Sequence, residues 1–187
     1  KHNIIEIDDA GSGSLIGGTG IGILKKETQE YSFEIIPLDY FQHPYFSEKL
    51  YQDYVISIVE KALENLQVGS KEPLHLCRGY IFDRLRKWLS AKEYSWKSTK
   101  ITGLLQDKVE DSFNQYVIRL GLPKNFIIHA HYAFSFHRLF KWVMADFQQR
   151  APFVKAVGKA GKNGLVFLPK NPVERLTVMN TVLNAVN

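Results

Sequence analysis

The order of apolar and polar positions along the chain predicts a mixed α/β protein. Apolar runs over 3–9, 18–26 and 30–38 have the length and composition of buried strands. Short polar turns separate these runs, which favours antiparallel pairing. Beyond residue 38 the apolar spacing becomes helical, and the rest of the chain is predicted to alternate helices with strands.

The clearest helix is predicted from Ser47, which is placed as its N-cap, to about Leu66. Its apolar side chains recur at helical spacing and form one stripe. A short strand over 73–77 and a helix over 80–91 follow, and Ile81, Leu85 and Trp88 are predicted to face inward. The later predicted elements are a strand over 95–105, a helix from Asp107 to about Leu120, a helix over 132–148, an exposed loop over 155–163, a strand over 164–168 and a closing helix capped by Asn171, Pro172 and Glu174.

Composition places these elements in a folded chain. The 187 residues, 45% of them hydrophobic, are expected to form a single domain over 1–187 with an extension from about residue 124. No apolar run approaches the roughly 20 residues of a membrane-spanning helix, so no membrane association is expected. Cys77 is the single cysteine and cannot form an internal disulfide. Without a secretory signal pattern, a cytoplasmic location is expected.

Charge adds a candidate partner. The formal net charge is +5, and the excess is concentrated between Arg78 and Lys100, where aromatic residues interleave with the cations. Such segments bind nucleic acid through phosphate contacts and base stacking. A solvated helix face beside core aromatics is the alternative interpretation. The candidate nucleic-acid-binding residues are Arg78, Arg84, Lys87, Trp88, Lys97 and Lys100.

The opening stretch IEIDDAGSGSLIGGTGIGIL, residues 5–24, places two aspartates directly before a glycine-rich turn. Asp8, Asp9, Gly11 and Gly13, followed by the run GIGIL from Gly20, resemble the start of the ribonuclease H-like superfamily. The predicted order of elements over about the first 120 residues is similar to that fold as well. The resemblance implies a ribonuclease H-like α/β domain and carboxylates that hold Mg²⁺ or Mn²⁺ for phosphodiester hydrolysis.

The resemblance implies that the first metal ligand is Asp8 or Asp9. Strand alternation places Asp8 on the side of Glu6 and Asp9 on the side of Ile5 and Ile7. The Asp-x-Gly pattern favours Asp9, although an aspartate that bonds turn amides is an alternative interpretation. The second ligand is predicted to be Glu48, on the apolar stripe of the first long helix. A first-turn acid favoured by the helix dipole is the alternative there.

The resemblance fails at its third carboxylate. The chain has Cys77, Arg78 and Gly79 at the end of the fourth strand, and Cys77 is interpreted as a small buried apolar residue. Arg78 is predicted either to hold a phosphate or to pair with Asp9. The fourth acid is predicted to be Asp107, for which helix capping together with Glu110 is the alternative.

Three histidines fall close together in sequence, at His129, His131 and His137, and zinc binding by them is a hypothesis. Three functional classes then remain. The first is a metal-dependent nuclease or phosphodiesterase that uses Asp8 or Asp9, Glu48 and Asp107. The second is a catalytically degenerate module of the same fold that binds nucleic acid or serves as a structural element. The third is a nucleotide-phosphate-binding protein, against which the size of the chain argues.

Overall fold

A computed structural model describes residues 3–127, 132–155, 157–159, 165–167 and 171–186. The chain forms two compact units, each assembled from three separate segments. Unit 1 comprises residues 1–12, 19–36 and 48–113. Unit 2 comprises residues 13–18, 37–47 and 114–187.

Unit 1 is built on a mixed sheet of five strands, which confirms the predicted α/β class. The strands lie in the order β3-β2-β1-β4-β5, with β1 between an antiparallel neighbour and a parallel one. The sequence order is three strands, helix, strand, helix, strand, helix. The elements are β1 (Ile5–Ala10), β2 (Thr19–Lys25), β3 (Glu30–Ile36), α1 (Leu50–Asn65), β4 (Leu74–Cys77), α2 (Asp83–Ala91), β5 (Trp96–Thr99) and α3 (Leu104–Arg119), the last of which continues into unit 2.

Helix α3 packs closely on β1 and β2 where glycine leaves room for it. A Cβ atom on Gly22 would lie 2.0 Å from Val109 Cγ1, and one on Gly11 would lie 2.2 Å from Phe113 Cζ. Gly11 also has a φ of +81°, which disfavours residues that carry a Cβ atom. Close helix packing and one left-handed turn therefore account for two glycines of the opening stretch.

Helix α1 contacts β2, β3 and α2, and it buries an apolar side as the sequence predicts. It begins at Leu50 and not at Ser47, because Lys49 adopts a left-handed conformation with a φ of 56°. The Ser47 hydroxyl donates a hydrogen bond to the Pro44 carbonyl at 2.7 Å and caps no helix. The predicted Ser47 cap is therefore wrong.

Unit 2 contains the helices α4 (Tyr132–Ala145), α5 (Phe147–Arg150) and α6 (Pro172–Val186) and a hairpin of β6 (Val157–Lys159) and β7 (Leu165–Phe167). The predicted loop over 155–163 is thus wrong for β6. The cap of α6 is confirmed, because Asn171 Oδ1 accepts a hydrogen bond from the Val173 amide at 2.9 Å.

The loop over 13–18 is fixed within unit 2 by a buried lysine. Lys155 is 2% exposed, and its ammonium donates a hydrogen bond to the Ser14 carbonyl at 3.0 Å. Its backbone amide donates to the Leu15 carbonyl at 2.8 Å. In the part of the chain that the structure describes, no helix is both long and apolar enough to cross a bilayer.

Candidate functional site

The candidate site lies at the carboxyl end of β1, where Asp8 and Asp9 close a strand of buried residues. Ile5 and Ile7 are fully buried, and Asp8 is only 7% exposed. Regular strand alternation alone would direct the two side chains to opposite faces of β1, yet their carboxylate oxygens approach within 4.8 Å at the strand end. Asp8 lies opposite Gly22 of β2, on the face that α3 covers. Asp9 Oδ1 lies 3.2 Å from the position that a Cβ atom on Gly79 would occupy.

Cys77 joins the two aspartates because β4 runs parallel to β1. Ile7 pairs with Leu76, so the next residues of the two strands, Asp8 and Cys77, reach the same sheet edge. One ligand atom from each of Asp8, Asp9 and Cys77 lies within 4.8 Å of the other two. Cys77 was predicted to be a small buried apolar residue. It is half-buried, and its thiol faces carboxylates and does not pack in the apolar core.

Burial dominates the electrostatics of Asp8 and raises the pKa of its carboxyl group. Two hydrogen bonds oppose this effect, one from the Cys77 thiol and one from the Asp9 amide at 2.9 Å. The negative charges of Glu110 and Glu6 raise the pKa further. The site around Asp8 therefore favours the neutral form of its carboxyl group. If Asp8 is charged, the site favours a cation beside it.

Cys77 carries a thiol that stays protonated at neutral pH. Burial raises its pKa to about 12, and the hydrogen bond to Asp8 acts in the same direction. A hydrogen bond from the Gly79 amide lowers the pKa, although by less. The thiol therefore acts as a hydrogen-bond donor to Asp8 and not as a nucleophile.

Arg86 fixes the chain around Cys77, and no sequence pattern indicated that it belongs near the site. Its guanidinium donates hydrogen bonds to the carbonyls of Cys77 at 2.8 Å and Gly79 at 3.1 Å. It also donates to Ser98 Oγ of β5 at 3.0 Å and forms an ion pair with Asp83 at 2.8 Å. Arg86 thereby ties the end of β4 to β5 and to the start of α2.

The predicted ligand Glu48 does not join the aspartates. It precedes α1, is exposed, and is not a member of the cluster formed by Asp8, Asp9 and Cys77. Its carbonyl oxygen accepts a hydrogen bond from Arg84 at 2.9 Å. The predicted place of Glu48 on the apolar stripe of the helix is wrong, because that prediction extends the helix through the left-handed residue Lys49, before the helix begins.

Asp107 is also exposed and lies outside the cluster. It neither caps α3 nor reaches the site, because α3 begins three residues earlier, at Leu104, and its Asp107 amide donates to the Gly103 carbonyl. Glu110, one turn further along α3, is the acid whose charge acts on Asp8. It follows Val109, the residue that packs on Gly22 opposite Asp8. Glu110 lies about 100° around the helix from the stripe formed by Leu105, Val109 and Phe113, so that spacing does not indicate it.

The basic segment separates into structural and exposed residues. Arg84 forms an ion pair with Asp53 and donates to the Glu48 and Lys49 carbonyls, so it fastens α2 to the start of α1. Arg78 is exposed, and its two alternative roles, holding a phosphate or pairing with Asp9, stay predictions. The exposed cations among the candidates are Arg78, Lys87, Lys97 and Lys100.

The aromatic residues of this segment also differ from one another. Trp88 is only partly buried and stacks on Tyr94, with 5.9 Å between ring centroids. Its predicted place in the core is taken by Leu89, which is fully buried. The Trp96 indole donates to Ser90 Oγ at 3.0 Å. Tyr80, in contrast, is 53% exposed.

The predicted zinc ligands His129 and His131 lie outside the described residues, and His137 falls within α4. Zinc binding by these residues therefore stays a prediction.

The donor set at the strand ends fits a hard divalent cation in part. Carboxylate oxygens are ligands that Mg²⁺ and Mn²⁺ prefer, and Asp8 and Asp9 supply them from adjacent residues. The protonated thiol of Cys77 is a poor ligand for such ions. Glu110 adds negative potential from α3. The comparisons with known proteins found no significant match to a family model, a curated protein or a solved structure.

Proposed function

We propose that this chain is a divalent-metal-dependent nuclease or phosphodiesterase with a ribonuclease H-like domain in unit 1. The observation that carries the proposal is the meeting of Asp8 and Asp9 at the end of the strand that lies at the centre of the sheet. The order of elements from β1 to α3 supports it, since this is the order that the sequence resemblance implies.

Each residue near the cluster would have a separate role at such a site. Asp8 and Asp9 would hold Mg²⁺ or Mn²⁺, whose chemistry is to neutralise charge on a reacting phosphate. The Cys77 thiol would donate to Asp8 beside the ion. Gly79 leaves space for Asp9, and Arg86 holds the Gly79 carbonyl at 3.1 Å. Glu110 of α3 adds negative potential near Asp8, although it is exposed and lies outside the cluster, as Glu48 and Asp107 do.

A catalytically degenerate nucleic-acid-binding module is the second candidate, and Cys77 favours it. A thiol with a pKa of about 12 stands at the position where the resemblance expects a carboxylate. In that case Asp8 and Cys77 form a neutral hydrogen-bonded pair that stabilises the sheet edge. The exposed cations Arg78, Lys97 and Lys100 would still attract phosphates.

A calorimetric titration with Mn²⁺ distinguishes the two candidates. We expect saturable binding to the wild type, loss of binding in Asp9→Asn, and unchanged binding in the matched control Asp107→Asn, which removes an exposed acid of unit 1 outside the cluster. Incubation with labelled single- and double-stranded DNA and RNA should give Mn²⁺-dependent cleavage that Asp9→Asn abolishes.

Absence of saturable Mn²⁺ binding would contradict the nuclease proposal, and so would equal losses in the two variants. Salt-dependent affinity for nucleic acid without metal dependence or cleavage would support the binding module instead.

A further inference from the structure

Two exposed side chains flank the glycine that contacts the candidate site. Arg78 and Tyr80 lie on either side of Gly79, whose missing Cβ atom leaves room for Asp9. Gly79 has an extended backbone, with φ −53° and ψ 144°. Arg78 and Tyr80 are therefore two residues apart in sequence, with Cα atoms about 6–7 Å apart along an extended chain, and the residue between them lies beside the Asp9 carboxylate.

The position of Tyr80 is held by buried contacts. The Gln52 side chain, 2% exposed on α1, donates to the Tyr80 carbonyl at 2.9 Å. The Tyr51 ring meets the Tyr80 ring edge to face, with 6.4 Å between centroids and an interplanar angle of 84°. Despite these contacts, more than half of Tyr80 remains exposed. A large aromatic side chain whose backbone is fixed and whose surface is exposed is typical of a stacking platform.

The other aromatic residues of the basic segment are less available. Trp88 and Tyr94 stack on each other, and the Trp96 indole is hydrogen-bonded to Ser90. Lys100 directly follows Thr99, which pairs with Cys77, so it adds an exposed cation at the same edge of the sheet and favours phosphate there.

We propose that Arg78 and Tyr80 form the substrate-binding surface next to Asp9 and select single-stranded nucleic acid. Tyr80 stacks on an unpaired base, and Arg78 contacts a backbone phosphate. A paired base has its faces covered by its neighbours in the stack, so duplex nucleic acid gains nothing from Tyr80. The inference rests on the proposed function only in taking the bound nucleic acid to be the substrate that is cleaved. Binding of nucleic acid to this surface does not require a metal ion.

Fluorescence anisotropy with a labelled single-stranded oligothymidylate, measured on the full chain in EDTA, tests the proposal. We expect Tyr80→Ala to weaken binding about tenfold and Tyr80→Phe, which keeps the ring, to stay within about twofold of the wild type. The matched control is Tyr45→Ala, which removes another exposed tyrosine, 47% exposed in unit 2. This control should leave affinity unchanged.

The salt dependence separates the two roles. Arg78→Gln should reduce the slope of log affinity against log salt concentration by about 0.7, the value for one phosphate contact on a single strand. Tyr80→Ala should lower affinity without changing that slope. Lys71→Gln removes an exposed cation outside the basic segment and should change neither quantity.

Photo-crosslinking to an iodouracil-containing strand, mapped by mass spectrometry, provides a measurement on the unmutated chain and should label Tyr80. The proposal is overturned by wild-type affinity in Tyr80→Ala, by an equal loss for duplex, or by lack of single-strand binding in the wild type. Mn²⁺-dependent cleavage by the wild type, together with wild-type single-strand affinity in Tyr80→Ala, would overturn this inference alone. A binding loss without any Mn²⁺-dependent cleavage would sink only the nuclease proposal.

Discussion

Gly22→Ala tests whether α3 depends on the absence of a side chain at the centre of β2. The new Cβ atom would lie 2.0 Å from Val109 Cγ1 and 3.3 Å from both Leu105 Cδ1 and Tyr31 Cε2. Ordinary contacts begin at 3.4 Å, so Val109 must retreat by about 1.4 Å, the difference between the two distances. Leu105 and Val109 are fully buried, and the displacement therefore has to involve the helix.

Overpacking of a buried site costs typically 1–3 kcal/mol. We expect the upper part of that range, about 2–3 kcal/mol, because two buried residues of α3 and the Tyr31 ring surround the added methyl group. A single flexible side chain would adapt at lower cost.

Urea unfolding in EDTA, followed by circular dichroism, measures this loss. The transition midpoint should fall while the slope stays unchanged, provided that the transition is two-state. Gly69→Ala is the control, because nothing lies within 4 Å of a Cβ atom at Gly69. The control should stay within about 0.5 kcal/mol of the wild type or gain slightly from a less flexible unfolded chain.

A double-mutant cycle gives the result that would refute the reasoning. Val109→Ala alone should cost about 2 kcal/mol, since it removes two buried methyl groups. In the Gly22→Ala background the same change should cost at least about 1 kcal/mol less, because it also relieves the clash. Additivity within about 0.5 kcal/mol would show that Val109 is not what resists the methyl group.

Three further predictions concern the site itself. Burial raises the pKa of Asp8, so the stability that its protonation contributes is complete below the ordinary pKa of 3.8 and is lost as pH rises through the folded-state pKa. Asp8→Asn should therefore raise the metal-free melting temperature at pH 7, and this advantage should disappear near pH 3. A lower melting temperature of the variant at pH 7 would contradict the reasoning. The Cys77 pKa of about 12, against an ordinary 9.0, lowers the thiolate fraction at pH 8, so alkylation by iodoacetamide should be on the order of 1,000-fold slower in the folded than in the unfolded chain. Mass spectrometry measures both rates. Equal rates would be inconsistent with the buried thiol. Arg86→Ala removes four hydrogen-bonded contacts of a side chain that is 18% exposed, and it should lower the free energy of unfolding in urea by about 2–3 kcal/mol. Arg84→Ala, whose side chain is 38% exposed, should lower it by about 1 kcal/mol. The reverse ranking would contradict the role given to Arg86.

The sheet was predictable because apolar periodicity reports burial directly. The runs over 3–9, 18–26 and 30–38 correspond to β1, β2 and β3 within one or two residues. Helix starts were less predictable because they depend on backbone conformation. Lys49 takes a left-handed φ that no side-chain pattern indicates, and Gly103, with φ +81°, turns the chain into α3 before Asp107.

The candidate site was predictable only where it is local in sequence. Asp8 and Asp9 are adjacent residues before a turn, so their position at a strand end follows from the strand itself. Cys77 reaches the site through the β1–β4 register, and the charge of Glu110 acts on Asp8 from α3, which packs on Gly22 through Val109. Neither contact is encoded by a motif. Glu48 was misplaced for the same reason, since its position depends on where α1 begins.

The interleaving of the two units along the chain limits how the protein can be divided. The segments 13–18 and 37–47 belong to unit 2, yet they are threaded through the sequence of unit 1. A cut after residue 113 would leave Ser14 and Leu15 on one fragment and their bonding partner Lys155 on the other. Separately expressed halves would each lack part of a core, so they should recover native structure only when they are refolded together.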